Sequence, residues 1–203
     1  MLEKFHVAKE DIIHIEEERL RSVTKEILMT QGISEKDALL ATDALIKADL
    51  RGVESHGVSN MLRAYLAAFK SNSLNPKPNW KIVKETASCA TINSDNGLGI
   101  VVAPQAMEIA VEKAKKTGAG IVTMNNCGHL GMLAYHSMIA SDNDMIGTTM
   151  AACSPRMVPT YSSVRALGTN PISYSAPADK LPDFVFDAAM TSVAGNKIVL
   201  ASR

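Results

Sequence analysis

The 203-residue chain is 46% apolar and 21% charged, a balance that excludes wholesale disorder, collagen and coiled coil. Twenty-one basic residues offset 21 acidic ones, so no basic footprint points to nucleic acid or an anionic membrane. No apolar run reaches the ~20 residues of a membrane span, and the charged N-terminus lacks a secretory core. Three widely spaced cysteines, Cys89, Cys127 and Cys153, suit a reducing compartment, so a cytoplasmic location is expected.

In chain order, Leu20, Val23, Ile27 and Leu28 recur at helical spacing, with Gly32 as a C′ stop. Ser34 reads as an N-cap with Asp37 completing a capping-box analogue, and Leu39, Thr42, Leu45 and Ile46 form the buried stripe of the helix it starts. A third helix carries Met61, Leu62, Tyr65, Leu66 and Phe69, with Ser59 as a cap. Residues 71–79, with Pro76 and Pro78, form a turn or linker. Two short strands follow at 80–85 and 88–93, then a turn at 94–97 and a helix over 103–117 stopped by Gly118. The apolar run GIVTM at 120–124 suits a strand buried on both faces. A loop over 125–131, a helix near 132–142 and a strand at 145–152 complete a strand–helix–strand unit, read as a parallel crossover. Short strands are expected near 172–176 and 183–188. The fold class is therefore α/β: a helical region over residues 1–75, then an α/β region over 76–203. The lone Gly97-Leu98-Gly99 lacks the third glycine of a Rossmann fingerprint and reads first as a tight turn.

Three tracts gather polar groups at element ends. In 49–57, Ser55 and His56 sit at a helix–helix junction. A neutral imidazole there suits acid–base work, while the plainer reading is local capping by Ser55 or Ser59. In 125–131, His129 lies at the carboxyl end of a strand and just before a helix. The helix offers N–H groups to an anion; the alternative is a satisfied loop histidine. In 167–171 and 183–190, Gly-Thr-Asn-Pro is turn chemistry, and Asp187 either binds a ligand hydroxyl or caps the next helix. A Cys127–His129 thiolate–imidazole pair, or a zinc site from Cys127, His129 and His136, is only half supported by spacing, and no metal is expected. His6 and His14 read as solvent-exposed.

Together these tracts resemble the malate/L-lactate dehydrogenase family, type 2, with its ureidoglycolate, sulfolactate and diketogulonate dehydrogenases and a cyclic-imine reductase. The matching stretches are ADLRGVESHGVS at 48–59, NGLG at 96–99, GIVTMNNCGHLG at 120–131, MIGTTMAACSP at 145–155, LGTNPISYSAP at 167–177 and FVFDAAMTSVAGNKI at 184–198. The resemblance implies a mixed-sheet fold of the L-sulfolactate dehydrogenase-like, non-Rossmann type, incomplete at its C-terminus. It implies NAD or NADP as cofactor, a small 2-hydroxy acid as substrate, and a homodimer or higher homo-oligomer. Ser55 and His56 match the family's Ser-His pair, and His129 matches its substrate-contacting histidine. Either imidazole is the proton acceptor, with His129 favoured. Lys197 matches a position used catalytically in some members. Gly131, Met132, Leu133, Ala134, Tyr135, Cys153, Thr169, Asp187, Ala188, Ala189, Gly195 and Asn196 fall where the family binds the dinucleotide.

Departures are also visible. Asn60 stands where many members carry a carboxylate-binding arginine, leaving Arg51 or Arg63 to compensate. Ala64 replaces a frequent tyrosine, with Tyr65 adjacent, and Cys153 stands where a hydroxyl residue is common. Family chains run on well past the stretch matching Gly195 to Lys197. The second reading is accordingly a truncated, inactive remnant serving as an interaction module.

Overall fold

The structure, a computed structural model, describes residue 10 and residues 12–201. His6 lies outside the described residues, and His14 is exposed. Helix α1 (Glu17–Met29) buries Thr24 and Leu28 against α2 (Glu35–Leu50). The Ser34 hydroxyl accepts the Asp37 N–H at 3.1 Å, so the expected N-cap is realised. The buried face of α2 is built from Ala38, Ala41, Thr42, Ala44, Leu45, Ile46 and Ala48. Leu39, expected in that stripe, is 52% exposed instead. The small alanines let α1, α4 and α5 approach the axis closely, and that face excludes Leu39.

A short 3-10 helix (Glu54–His56) leads into α3 (Val58–Lys70). Ser59 does not cap α3. Gly57 occupies the N-cap position, and the Asp49 carboxylate accepts the Val58 N–H at 2.8 Å from the end of α2. Strand β1 (Lys81–Glu85) pairs antiparallel with β2 (Cys89–Asn93), which pairs parallel with β3 (Ile121–Asn125). The parallel crossover therefore runs from β2 through α4 (Gly99–Thr117) to β3, one unit earlier than expected. Helix α4 starts four residues ahead of expectation because Gly99 to Pro104 are all buried, so tertiary packing carries a proline inside the helix. Gly118 closes it in the left-handed conformation at φ +82°.

β3 is an edge strand with α4 against it, so its residues alternate and Ile121 is 58% exposed, contrary to the expectation of burial on both faces. Helix α5 (Ala134–Ser141) then leads to a second, antiparallel sheet of β4 (Gly147–Met150), β5 (Ile172–Ala176) and β6 (Phe184–Ala188). β4 does not join β3, so the segment over 120–152 bridges two sheets. A last helix, α6 (Gly195–Ala201), had no signal in the sequence reading.

One apolar core runs through the first three helices, Leu98 to Val101 of α4 and the start of α5. Ile92, Val102 and Ala106 form a smaller core beneath the first sheet. Ser137 of α5 meets the Ser173 and Ser175 hydroxyls at 2.8 and 2.7 Å, docking the second sheet. Tyr135 of α5 donates to Asp43 at 2.8 Å, and Asp43 also pairs with Arg21 of α1. Among the described residues no helix is long and apolar enough to cross a membrane.

Candidate active site

The site begins where α2 hands over to α3. A Cβ at position 57 would fall inside the Asp49 carboxylate, so the carboxylate that caps α3 also demands glycine there. That pairing fixes the backbone on which Ser55 and His56 sit. Ser55 is buried, and its hydroxyl lies 2.9 Å from His56 Nδ1. From the far end of the chain, Asn196 of α6 donates its amide to the Ser55 carbonyl at 2.7 Å.

The second half of the site is the loop after β3. Asn126 takes a left-handed turn at φ +47°, and the Gly128 N–H donates to the Gly97 carbonyl at 2.9 Å. A side chain at Gly99 would run into the Gly128 and His129 carbonyls. The glycines of NGLG thus let two loops cross backbone to backbone, and the crossing delivers His129 to the surface of α3. There His129 Nδ1 lies 2.8 Å from the Tyr65 hydroxyl. The His56 and His129 rings stack with centroids 5.4 Å apart and planes 13° apart.

Loss of hydration, which penalises the charged ring, lowers His129 to about 4, helped by the nearby His56 and by the positive charge of Arg156. His56 is also lowered by burial. Both rings are therefore neutral near pH 7, although His129 keeps an exposed edge. Ser55 does not cap α3, whose N-cap is Gly57, while His129 is a loop histidine with Nδ1 satisfied by Tyr65 and Gly131 that also stacks on His56.

The other expected residues divide. Met132, Leu133, Ala134 and Tyr135 are buried in the core. The first turn of α5 does not offer its N–H groups to an anion: the Ala134 N–H goes to the Asp187 carboxylate at 2.7 Å. Asp187 thus caps a helix, but it is the preceding α5 and not the next one in the chain, which the capping alternative named. Gly131 is half-buried beside His129, its N–H 3.3 Å from Nδ1. Cys153, Thr169, Ala188 and Ala189 are half-buried, with the Cys153 N–H on Asn170 Oδ1 at 3.0 Å and the Met190 N–H on the Thr169 carbonyl at 2.8 Å. Gly195 stands open, and Lys197 is exposed on α6. Asn60 donates to the Glu54 carbonyl at 2.7 Å, next to the Ser55–His56 step.

Two contributors escaped the sequence reading. Tyr65 reads there as core and as the neighbour of the replaced tyrosine position, with nothing to link it to His129, and Arg156 lies in a Pro- and Ser-containing loop with no local signal. Among the described residues no group of three His, Cys, Asp or Glu side chains could hold a metal ion.

A profile of the malate/L-lactate dehydrogenase family matches residues 15–203. A malate dehydrogenase of Pyrococcus abyssi is 40% identical over 203 residues, covering 100% of this chain and 55% of that protein. An L-sulfolactate dehydrogenase of Methanocaldococcus jannaschii is 41% identical over 178 residues, covering 88% of this chain and 51% of that protein. The solved malate dehydrogenase of Pyrococcus horikoshii OT3 superposes with a TM-score of 0.90 at 39% identity, over 95% of this chain and 55% of that one. The chain spans about half the length of the relatives it matches.

Proposed function

This chain belongs to the malate/L-lactate dehydrogenase family, and from that premise we propose an oxidoreductase that moves hydride between NAD or NADP and a small 2-hydroxy acid or its 2-keto partner. The observation that carries the reading is the stacked His56–His129 pair, brought together from two distant tracts. The residues present suit a nicotinamide ligand. Two imidazoles, neutral near pH 7, lie together, Asn196 of α6 donates to the Ser55 carbonyl next to them, and Gly195 beside it is open. Cys153, Thr169, Ala188 and Ala189 offer half-buried small or polar side chains for the rest of the dinucleotide, and Gly131 to Tyr135 form an apolar wall rather than a phosphate cradle.

When bound, the nicotinamide supplies or accepts the hydride at substrate C2. The protein's own part is the proton. One imidazole of the pair exchanges it with the C2 oxygen: the neutral form that both rings hold near pH 7 accepts the proton in oxidation, and a ring protonated from solvent returns one in reduction. Ser55 orients His56 through Nδ1. Asn60 spends a donor on Glu54, so charge complementarity to the substrate carboxylate falls to Arg156, whose charge already reaches His129. The homo-oligomer implied by the resemblance and the cytoplasmic setting expected from the cysteines belong to the same proposal. Sedimentation of the purified protein checks the former.

The deciding assay follows NADH and NADPH oxidation with oxaloacetate, pyruvate and a cyclic imino acid. Turnover with one pair is expected, and His129→Ala should lower kcat by about 100-fold or more while cofactor affinity stays. Unchanged kcat in that variant removes His129 from the mechanism.

A further inference from the structure

We infer that the Gly131 N–H fixes which nitrogen of His129 carries the proton and that Tyr65, as a positioning residue, reinforces the choice by donating to the same Nδ1, so that His129 meets a ligand oxygen as a donor through Nε2–H. The inference rests on the oxidoreductase reading only for the identity of that oxygen. Two groups converge on His129 Nδ1: the Gly131 N–H at 3.3 Å and the Tyr65 hydroxyl at 2.8 Å. A backbone amide only donates, so Nδ1 must present its lone pair. The single proton of the neutral ring then sits on Nε2, and the Tyr65 O–H turns to donate as well.

Both partners are held rigidly. Gly131 sits at φ +68°, and a side chain there would meet Ile100 Cγ2 at 2.6 Å. Tyr65 is 3% exposed on the core side of α3. Burial raises the Tyr65 phenol above its ordinary value, which makes it a poor proton source. It reinforces the tautomer and is not a relay.

His56 is not locked in this way. Its Nδ1 faces the Ser55 hydroxyl, which can donate or accept, so its Nε2 is free to give or take a proton. The two rings therefore divide the work. His129 donates a hydrogen bond to the C2 oxygen. In oxidation, the neutral His56 Nε2 takes the proton from the C2 hydroxyl as the hydride leaves C2; in reduction, His56 first takes a proton from solvent at Nε2, and that N–H bond breaks as the proton passes to the C2 oxygen. This gives the exchange to His56, where the resemblance alone favours His129.

Long-range 1H–15N correlation of histidine-labelled protein at pH 7 reads the tautomer directly. The expected result is a bare Nδ1 and a protonated Nε2 on His129, with the tautomer ratio shifted roughly five-fold toward Nδ1–H in Tyr65→Phe. A protonated Nδ1 in the wild type, or a ratio unmoved in the variant, overturns the inference. The wild-type spectrum decides the tautomer even if the variant folds poorly. In the turnover assay, glutamine keeps a donor but no exchangeable base. His129→Gln should therefore lose about ten-fold in kcat, and His56→Gln should lose about 100-fold or more. The opposite ranking overturns the division of roles. A wild-type protein without turnover counts against the oxidoreductase reading, while the spectrum still decides the tautomer.

Discussion

Asp49 and Gly57 act as one device. The carboxylate caps α3, and the absence of a Cβ at position 57 makes room for it. Gly57→Ala should destabilise the protein by about 2 kcal/mol in urea unfolding, through a clash and a lost cap together. Asp49→Ala removes the cap alone, so the double variant should be more stable than the sum of the singles. His136 shows the cost of a buried imidazole. It is 1% exposed, its Nε2 lies 2.8 Å from the Leu130 carbonyl, and Nδ1 has no partner among the described residues. Burial lowers it from 6.5 to about 4. The unfolded chain binds the proton first, so the stability this neutral ring preserves is complete above pH 6.5 and is lost as pH falls toward 4. The urea midpoint should fall across that window, and His136→Gln should flatten the slope while lowering stability at pH 7. Asp43, held below 3.8 by its partners against the opposing effect of burial, titrates beneath that window, whereas His129 and His56 share it, so the difference between wild type and His136→Gln isolates the His136 part.

Helix α5 is the element on which both halves of the molecule depend. Its first turn holds Asp187, Tyr135 reaches Asp43 of α2, and Ser137 joins Ser173 and Ser175 of β5. Ser137→Ala strands the buried Ser175 hydroxyl, so a loss of about 1–2 kcal/mol is expected, read as a lower Tm. Local chemistry made much of this architecture legible. Ser34 and Gly118 mark helix ends by their own hydrogen bonding and backbone freedom, and the five-residue strands announce themselves by composition. Pairing is different. Nothing in GIVTM says that its strand becomes a sheet edge, and nothing in residues 145–152 says that they join β5 instead of β3. Within the site, His56 and His129 stand out because each lies at an element end beside glycine. Tyr65 fits the apolar stripe of α3 equally well, and its hydroxyl gains meaning only when a loop 64 positions away arrives.

At the scale of the whole molecule, charge and apolar surface act together. The net charge is zero and the pI is about 7.0. Met150, Tyr174, Phe184 and Phe186 of the second sheet are 63%, 39%, 60% and 44% exposed. Electrostatic repulsion between molecules is therefore weakest at neutral pH, and solubility should pass through a minimum near pH 7 and recover by pH 9, measured as the protein left in solution after centrifugation. The crossing of the glycine loops and the reach of α6 bear on time as well as place. His129 meets Tyr65 across 64 positions and Asn196 meets Ser55 across 141, so the site closes only after the slowest long-range loops have formed. Helices can dock early while the site is still open. The recovery of a single His129 signal during refolding would then time the last step of assembly, and any ligand of the site would act as a clamp on that step.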